Sequence, residues 1–530
     1  MPTDTIGLEP AQISSRHTAN IMKHIFGQLY SVSESGSIDP NLAESYKISD
    51  DGKEYTFTLK EGLTCHDGEA LTAEDAAYSF NRVADTDLAF TGNSAGFVYK
   101  SIDFKEARAD SEREVTIVLG GPNHIALGLI AEVYVHCKDS YEKMSKDEAA
   151  SNPIGSGPYE FVKWDKGSQI VLKKAANPPI PTNFENVIWR VIPEASTRTA
   201  ELIAGNVDMI TNASPDQVEA IDASSTAKVA KVQGTRRMYV GFHQGPEFAV
   251  TPGGAAIQKP EVRRALQYAV NVPAICENLL NAPCTRMTGI VNPNNAHPNL
   301  EPYPYDPEIS EYLLDQAGYP RDANGVRFEI TLQAGEGRYL NDKNVVLAIC
   351  QYLDDVGVKT NCEILDWSAV YIPLIKEKKA GPMYFIGSGG ATWSPLYDMA
   401  DLSAPDSGPN YTKWMNEEWF KGWKVINNTN DEYVIRREID RMLEVFYNEG
   451  PWLHLYFQPD FYGVSNRVNW NPRRDEKVDL FGATLKSITV MLAPNLEPTK
   501  FSNLKNVFLY LKKNPADSFS YFWSNVSYIY

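Results

Sequence analysis

The stretch Tyr55-Thr56-Phe57-Thr58-Leu59-Lys60-Glu61-Gly62-Leu63-Thr64-Cys65-His66-Asp67-Gly68, followed by Leu71-Thr72-Ala73-Glu74-Asp75, decides how this chain is read. Tyr55, Phe57 and Leu59 alternate with polar neighbours, the period of a half-buried strand. Asp67-Gly68 suits a tight turn. Thr72 ahead of Glu74 and Asp75 marks a helix N-terminus, with a capping hydroxyl and two acids at its positive end.

The same alternation of strand, turn and helix spreads outward. Ile21, Ile25, Phe26 and Leu29 fall at helical spacing over 20–30. Asn152-Pro153-Ile154-Gly155-Ser156-Gly157-Pro158-Tyr159 punctuates the chain before a strand at 160–164. Gln258-Lys259-Pro260-Glu261 leads into a helix over 262–270, with Val262, Ala265, Leu266, Ala269 and Val270 inward. Strand patterns at 328–332 and 359–365 flank a helical pattern at 342–356, which predicts a β-α-β unit and an α/β fold.

The 530 residues exceed one hydrophobic core and suggest about three folding units. No apolar run reaches the ~18 residues that span a bilayer. A formal charge of −18 argues against general nucleic-acid binding, which needs a basic footprint. The six cysteines (65, 137, 276, 284, 350 and 362) lack C-x-x-C spacing, so neither a zinc nor a thioredoxin-like motif is present. One or two disulfides are compatible with this pattern, Cys276 and Cys284 being the nearest pair in sequence. Met1-Pro2-Thr3-Asp4 opens the chain without a basic or apolar leader segment.

Catalytic signatures are missing. Gly387-Ser388-Gly389-Gly390 has no following Lys-Ser/Thr, and Gly155-Ser156-Gly157 runs into Pro-Tyr, so neither is a phosphate loop. There is no G-x-S-x-G or H-E-x-x-H. His17 and His24 are read as ordinary surface or core histidines. Asp354-Asp355 and the pair Asp398 and Asp401 are the carboxylates a glycosidase would need, but that chemistry depends on a separation of about 5–9 Å in space.

Five ordered segments resemble the family 5 extracellular solute-binding proteins of ABC importers. They are Asp39-Pro40-Asn41-Leu42-Ala43-Glu44-Ser45-Tyr46, the stretch quoted first, residues 152–159, Pro193-Glu194-Ala195-Ser196-Thr197-Arg198 with Gly205-Asn206-Val207-Asp208, and residues 262–270. Asn271 stands where that family usually has Asp. The likeness extends to about residue 486 and does not cover 487–530, an aromatic-rich tail. Family members usually have a signal peptide and a first strand before the segment equivalent to Leu8-Glu9-Pro10, so the chain is expected to start late.

The resemblance implies a type II periplasmic-binding-protein fold with two lobes and a subdomain inserted in the first. Its expected boundaries are 1–30, 166–250 and 456–486 for the first lobe, 31–165 for the insertion and 251–455 for the second lobe. It implies a periplasmic or lipoprotein-anchored receptor, expected to be a monomer. Such a receptor closes on a small peptide-like, opine-like or sugar-containing solute and is recognised by a membrane permease. No catalytic, cofactor or metal residue is implied. The competing functions are a glycan- or peptide-hydrolysing enzyme and a surface receptor or chaperone-like protein that uses the tail.

The segments resembling cleft-lining stretches are Ser14, Arg16 and His17; Tyr239, Phe242 and His243; Arg338 and Tyr339; and Gly390, Trp393 and Asp398. Trp367 joins them as an aromatic candidate. The resemblance aligns Arg338 with an arginine that binds a ligand carboxylate. Around Trp393 it departs from the family's Gly-Trp-x-x-Asp: Trp393 falls near the expected acid and Asp398 arrives late, which weakens a peptide reading. Arg338 and Arg16 are suited to grip an anion, and Trp393, Trp367 and Tyr339 to stack on a ring.

Overall fold

Two long strands, Ala227–Phe242 and Trp452–Ser465, run antiparallel through the centre of the largest sheet. The computed structural model describes residues 1–486 apart from 14, 390–392 and 430. Ser14, Gly390 and the tail 487–530 therefore lie outside the described residues. The six-stranded sheet has the order Met209–Ile210, Trp452–Ser465, Ala227–Phe242, Met383–Ser388, Phe328–Glu336, Val358–Asp366. Trp452–Ser465 is buried along almost its whole length, which explains its run of apolar and aromatic residues in place of a period-2 pattern.

The β-α-β unit forms as expected. Phe328–Glu336 and Val358–Asp366 pair in parallel, joined by the helix Asp342–Asp355. The segment quoted first also folds as its pattern dictates. Glu54–Leu59 is the second strand of a four-stranded sheet, ordered Ala43–Ile48, Glu54–Leu59, Glu114–Leu119, Phe104–Ala109. The helix Ala73–Ala84 starts where Thr72 and Asp75 predict it, and the Thr72 backbone N–H donates to the Asp75 carboxylate at 2.7 Å. The first helix differs from its expected bounds. It runs Arg16–Ile25 because the Ser15 hydroxyl caps it at Thr18 N–H (3.3 Å) and the chain turns extended at Phe26.

All six cysteines are paired, as Cys65–Cys137, Cys276–Cys284 and Cys350–Cys362. This exceeds the one or two bridges expected from spacing. Cys65–Cys137 joins segments 72 residues apart, while Cys350–Cys362 ties the helix Asp342–Asp355 to the strand that follows it, Val358–Asp366. Three disulfides suit an oxidising compartment.

The two long strands lose register between Gln233 and Arg237. They cross so closely here that a Cβ on Gly234 would lie 2.3 Å from the Gln458 carbonyl and 2.7 Å from Asp460 Oδ2. The backbone groups freed by the break are taken up by a segment returning from the end of the fold. Thr235 N–H donates to the Arg474 carbonyl (2.9 Å), and Arg474 Nε donates to the Gln233 carbonyl (3.0 Å). Away from this crossing, Phe97 meets Tyr397 edge to face at 5.6 Å. His124 Nε2 lies 2.8 Å from the Thr429 carbonyl, joining the early part of the chain to the later one.

Gly234→Ala should destabilise the fold by about 1–3 kcal/mol, read by chemical denaturation, because the crossing has no room for a methyl group. A pH dependence also follows. His454, fully buried and stacked on Phe446, is pushed down to about 3 by burial and by Arg286; His24 is pushed to about 4 by burial and by Lys23. Their folded values lie below the unfolded ~6.5, so between these limits the unfolded chain takes up protons that the fold refuses, and stability falls as pH falls. Near pH 4.5 His454 alone should remove roughly 2–3 kcal/mol relative to neutral pH. Burial pushes Asp398 up to about 6 and so works in the opposite direction. His454→Phe isolates the histidine and should flatten the acid limb of Tm against pH.

Candidate functional site: a guanidinium cluster at the strand crossing

The segment that fills the broken register also carries the site's central acid. Glu476 follows Arg474 and Asp475 with φ +59, in the left-handed region that suits Gly or Asn far better than Glu. Its backbone is held on both sides. Asn20 Nδ2 donates to its carbonyl (3.1 Å), and the Asp475 carboxylate accepts from Arg473 (2.6 Å) and from Lys477 N–H (3.2 Å). Both Glu476 oxygens receive the fork of Arg236, at 2.5 and 2.7 Å. Burial opposes ionisation of Glu476, but the Arg236 charge overrides it and holds the carboxyl well below its ordinary range.

Arg338 reaches the same acid from the loop after Phe328–Glu336. Gly337 (φ +93) and Asn341 (φ +51) give this loop its turns. The Asp342 carboxylate then gathers the backbone N–H groups of Gly337 (3.0 Å), Arg338 (2.9 Å) and Tyr339 (2.9 Å). Tyr339 is anchored in turn. Its hydroxyl accepts from Gly387 N–H (2.9 Å) and donates to the Gly387 carbonyl (3.2 Å), and its ring meets Trp367 edge to face at 5.3 Å. The Arg338 guanidinium lies 5.1 Å from the Tyr339 ring centre and 3.9 Å from Glu476 Oε2. Among the described residues no acceptor comes within hydrogen-bonding distance of that guanidinium, although only 21% of the side chain is exposed. A half-desolvated fork with unused donors is suited to a carboxylate or phosphate.

His17 lies beside this cluster, half-buried; burial and the Arg338 charge push it to about 4, so it is neutral at neutral pH. Arg16 is half-buried too, and its charge adds to those of Arg236 and Arg338 in lowering Glu476. Asp460, on Trp452–Ser465, is pushed well up by burial and by the Glu476 charge, and its Oδ2 has no hydrogen-bond partner. Trp393 stands at the side, with the Arg474 guanidinium 5.4 Å from its ring centre and its carbonyl accepting from Asn295 (2.7 Å). Gly36 approaches so closely that a Cβ there would lie 2.6 Å from that of Trp393.

Four residues expected to line a cleft are buried. Tyr239 stacks on Trp452 at 3.7 Å, and Phe242 is fully buried. Three residues apart, they point to opposite faces of the strand, and both faces are covered there. His243 is consumed by backbone: Gly245 N–H donates to its Nδ1 (3.1 Å), and its Nε2 lies 2.9 Å from the Lys378 carbonyl. Asp398 accepts from Asn292 N–H (2.9 Å) and Nδ2 (3.1 Å) and pairs with buried Arg237 at 3.3 Å, leaving it no oxygen for a ligand ammonium. Asp401 is engaged by Ser388 (2.6 Å) and Arg237 (3.4 Å), so the two acids form an internal lock and not a hydrolytic pair facing a cleft. Asp354 and Asp355 accept from Thr360 N–H and Gln351 on the surface.

Sequence reasoning missed Arg236, Asp460 and Glu476. The one signal for them was the Arg236-Arg237 doublet leading into the apolar run 238–242, a pair that must find acids once buried. Nothing local pointed to Glu476, which lies 240 residues from its partner.

The profile of the family described as bacterial extracellular solute-binding proteins, family 5, matches residues 37–410. The glutathione-binding protein GsiB of Shigella flexneri is 26% identical over 465 residues, covering 84% of this chain and 86% of that one. The heme-binding protein A of Haemophilus influenzae is 27% identical over 499 residues, covering 87% of each. Among solved structures, the periplasmic binding protein DppA of Helicobacter pylori, bound to the peptide STSA, superposes with a TM-score of 0.78 at 22% identity. That match covers 91% of this chain and 96% of that one, and it shows the type II two-lobed fold. The relatives are binding subunits of transporters, not enzymes. The chain therefore belongs to the family 5 bacterial extracellular solute-binding proteins, periplasmic or extracellular receptors that serve the permeases of ABC importers.

Proposed function

We propose that the chain is a monomeric periplasmic receptor for a small carboxylate-bearing solute, peptide-like or opine-like. The observation that carries this reading is Arg338: a preorganised guanidinium, largely buried, with no hydrogen-bond acceptor among the described residues. A ligand carboxylate would supply the missing partner, whereas a neutral sugar would leave the fork's charge uncompensated. Glutathione, heme and peptides, the ligands named for the relatives, all carry carboxylates. Asp398 is unavailable to an ammonium, so recognition leans on the acid end of the solute. Tyr339, Trp367 and Trp393 supply aromatic walls, and His17 lies near enough to Arg338 to feel its charge.

In this reading the first lobe comprises 1–30, 166–250 and 456–486, with 31–165 inserted, and the second lobe is 251–455. The register break at 233–237 is the hinge. Arg338 comes from the second lobe and His17 from the first, so a solute that bridges them favours closure.

In a thermal-shift panel of dipeptides, glutathione, opines, heme and neutral oligosaccharides, a carboxylate compound should stabilise the protein, by about 2.7 kcal/mol at 100 times its Kd. Arg338→Ala should weaken that compound by roughly 2–5 kcal/mol in calorimetry. Binding of a neutral oligosaccharide that is indifferent to Arg338→Ala would sink the proposal. Native mass spectrometry of freshly purified protein is an independent check, since a closed cleft retains its solute.

A further inference from the structure

Glu476 is an unusual residue for its place. It sits in a backbone conformation that disfavours it, at φ +59, and Asn20, Arg473 and Lys477 fasten the surrounding chain. Strain of this kind persists only where the surroundings over-determine it, and it clusters at functional positions. What the conformation achieves is specific. It turns a carboxylate into the space between two guanidiniums, gripped in a fork by Arg236 and 3.9 Å from Arg338.

We propose that Glu476 sets the charge the cleft accepts: it binds Arg236 in a fork, leaves Arg338 as the one guanidinium of the pair without a hydrogen-bonded acceptor among the described residues, and thereby admits a monoanionic carboxylate while turning away dianionic groups such as a phosphate monoester. The proposal rests on the carboxylate reading of Arg338. Its geometry is simple. Any anion seated on the Arg338 fork lies within a few ångströms of the Glu476 carboxylate, because Arg338 Nη2 is itself 3.9 Å from Glu476 Oε2. A single negative charge there is balanced by Arg338. A second one faces Glu476 across a partly desolvated gap, where like charges repel far more strongly than in water.

The neighbouring groups do not relieve that repulsion. Arg473 is taken by Asp475 (2.6 Å) and Lys477 reaches Glu132 (2.8 Å). His17 is held neutral by burial and by Arg338, and Asp460 is pushed towards its neutral form by burial and by Glu476. Arg16 acts on Glu476 only through space, with no ion pair between them among the described contacts.

The test uses simple anions as probes, so it does not depend on knowing the natural solute. The melting temperature is followed at neutral pH in sodium acetate and in sodium sulfate, at ionic strength matched to sodium chloride. The proteins are the wild type, Glu476→Asn, Glu476→Asp and the double variant Glu476→Asn with Arg338→Ala. Asparagine tolerates the left-handed backbone and removes the charge; Glu476→Gln serves in its place if the asparagine variant does not fold. The neutral variant should gain a sulfate-specific rise in Tm of about 1 °C or more over the wild type, reflecting a tenfold or greater gain in sulfate affinity. Glu476→Asp should stay blind to sulfate, and the double variant should lose the gain. A folded neutral variant no more responsive to sulfate than the wild type overturns the proposal, as does a gain that survives removal of Arg338. Failure of the carboxylate reading would appear elsewhere, as solute binding indifferent to Arg338→Ala.

Discussion

Where Ala227–Phe242 and Trp452–Ser465 cross, neither strand can satisfy its partner's backbone, and that unsatisfied stretch organises the site. Unpaired N–H and C=O groups buried in a sheet are costly. The crossing is tolerated because Gly234 leaves room for the Gln458 carbonyl and because Arg474 donates to and accepts from the exposed rungs. The return of the chain to this point is what makes the fold one structure. It also brings Glu476 to Arg236 and to the loop of Arg338.

Two kinds of buried charge follow from this arrangement, and they serve different ends. Arg237 is fully compensated. It meets Asp398, Asp401, Ser388 and the backbone carbonyl of Asp398. That network is a structural lock beneath the sheet; a buried pair of this sort adds specificity of packing more than net stability. Its neighbour Arg236 points to the other face, as strand alternation requires, and joins a cluster left one acceptor short. Adjacent residues in one strand thus divide into a lock and a binding surface purely because successive side chains face opposite ways.

The comparison between pattern and structure follows the range over which each feature is determined. The strand at 54–59, the helix begun at Thr72, the helix near 262–270 and the β-α-β unit at 328–366 were legible because period, caps and turn residues are local. Arg338 was legible as a candidate through family likeness, and the structure seats it beside the crossing. Tyr239, Phe242, His243 and Asp398 are buried, which the likeness does not convey, because a segment can align with a cleft-lining stretch while its side chains turn inward. The disulfides show the same limit, since Cys65 and Cys137 are 72 residues apart and only the packing of the early sheet makes them neighbours.

The sequence by itself determined the class: a long acidic chain without catalytic or membrane-spanning signatures, bearing five ordered segments of a solute-receptor family. Those features are local or additive, and they survive without knowledge of contacts. Only the tertiary structure decided which charges are spent on one another and which one remains for a ligand. Pairing at the crossing depends on segments near 236, 338 and 476 meeting through long-range strand register, and no local spacing encodes that meeting. The stretch quoted at the outset told what kind of protein this is; the strained acid at 476, unremarked in the sequence, tells how its cleft is charged.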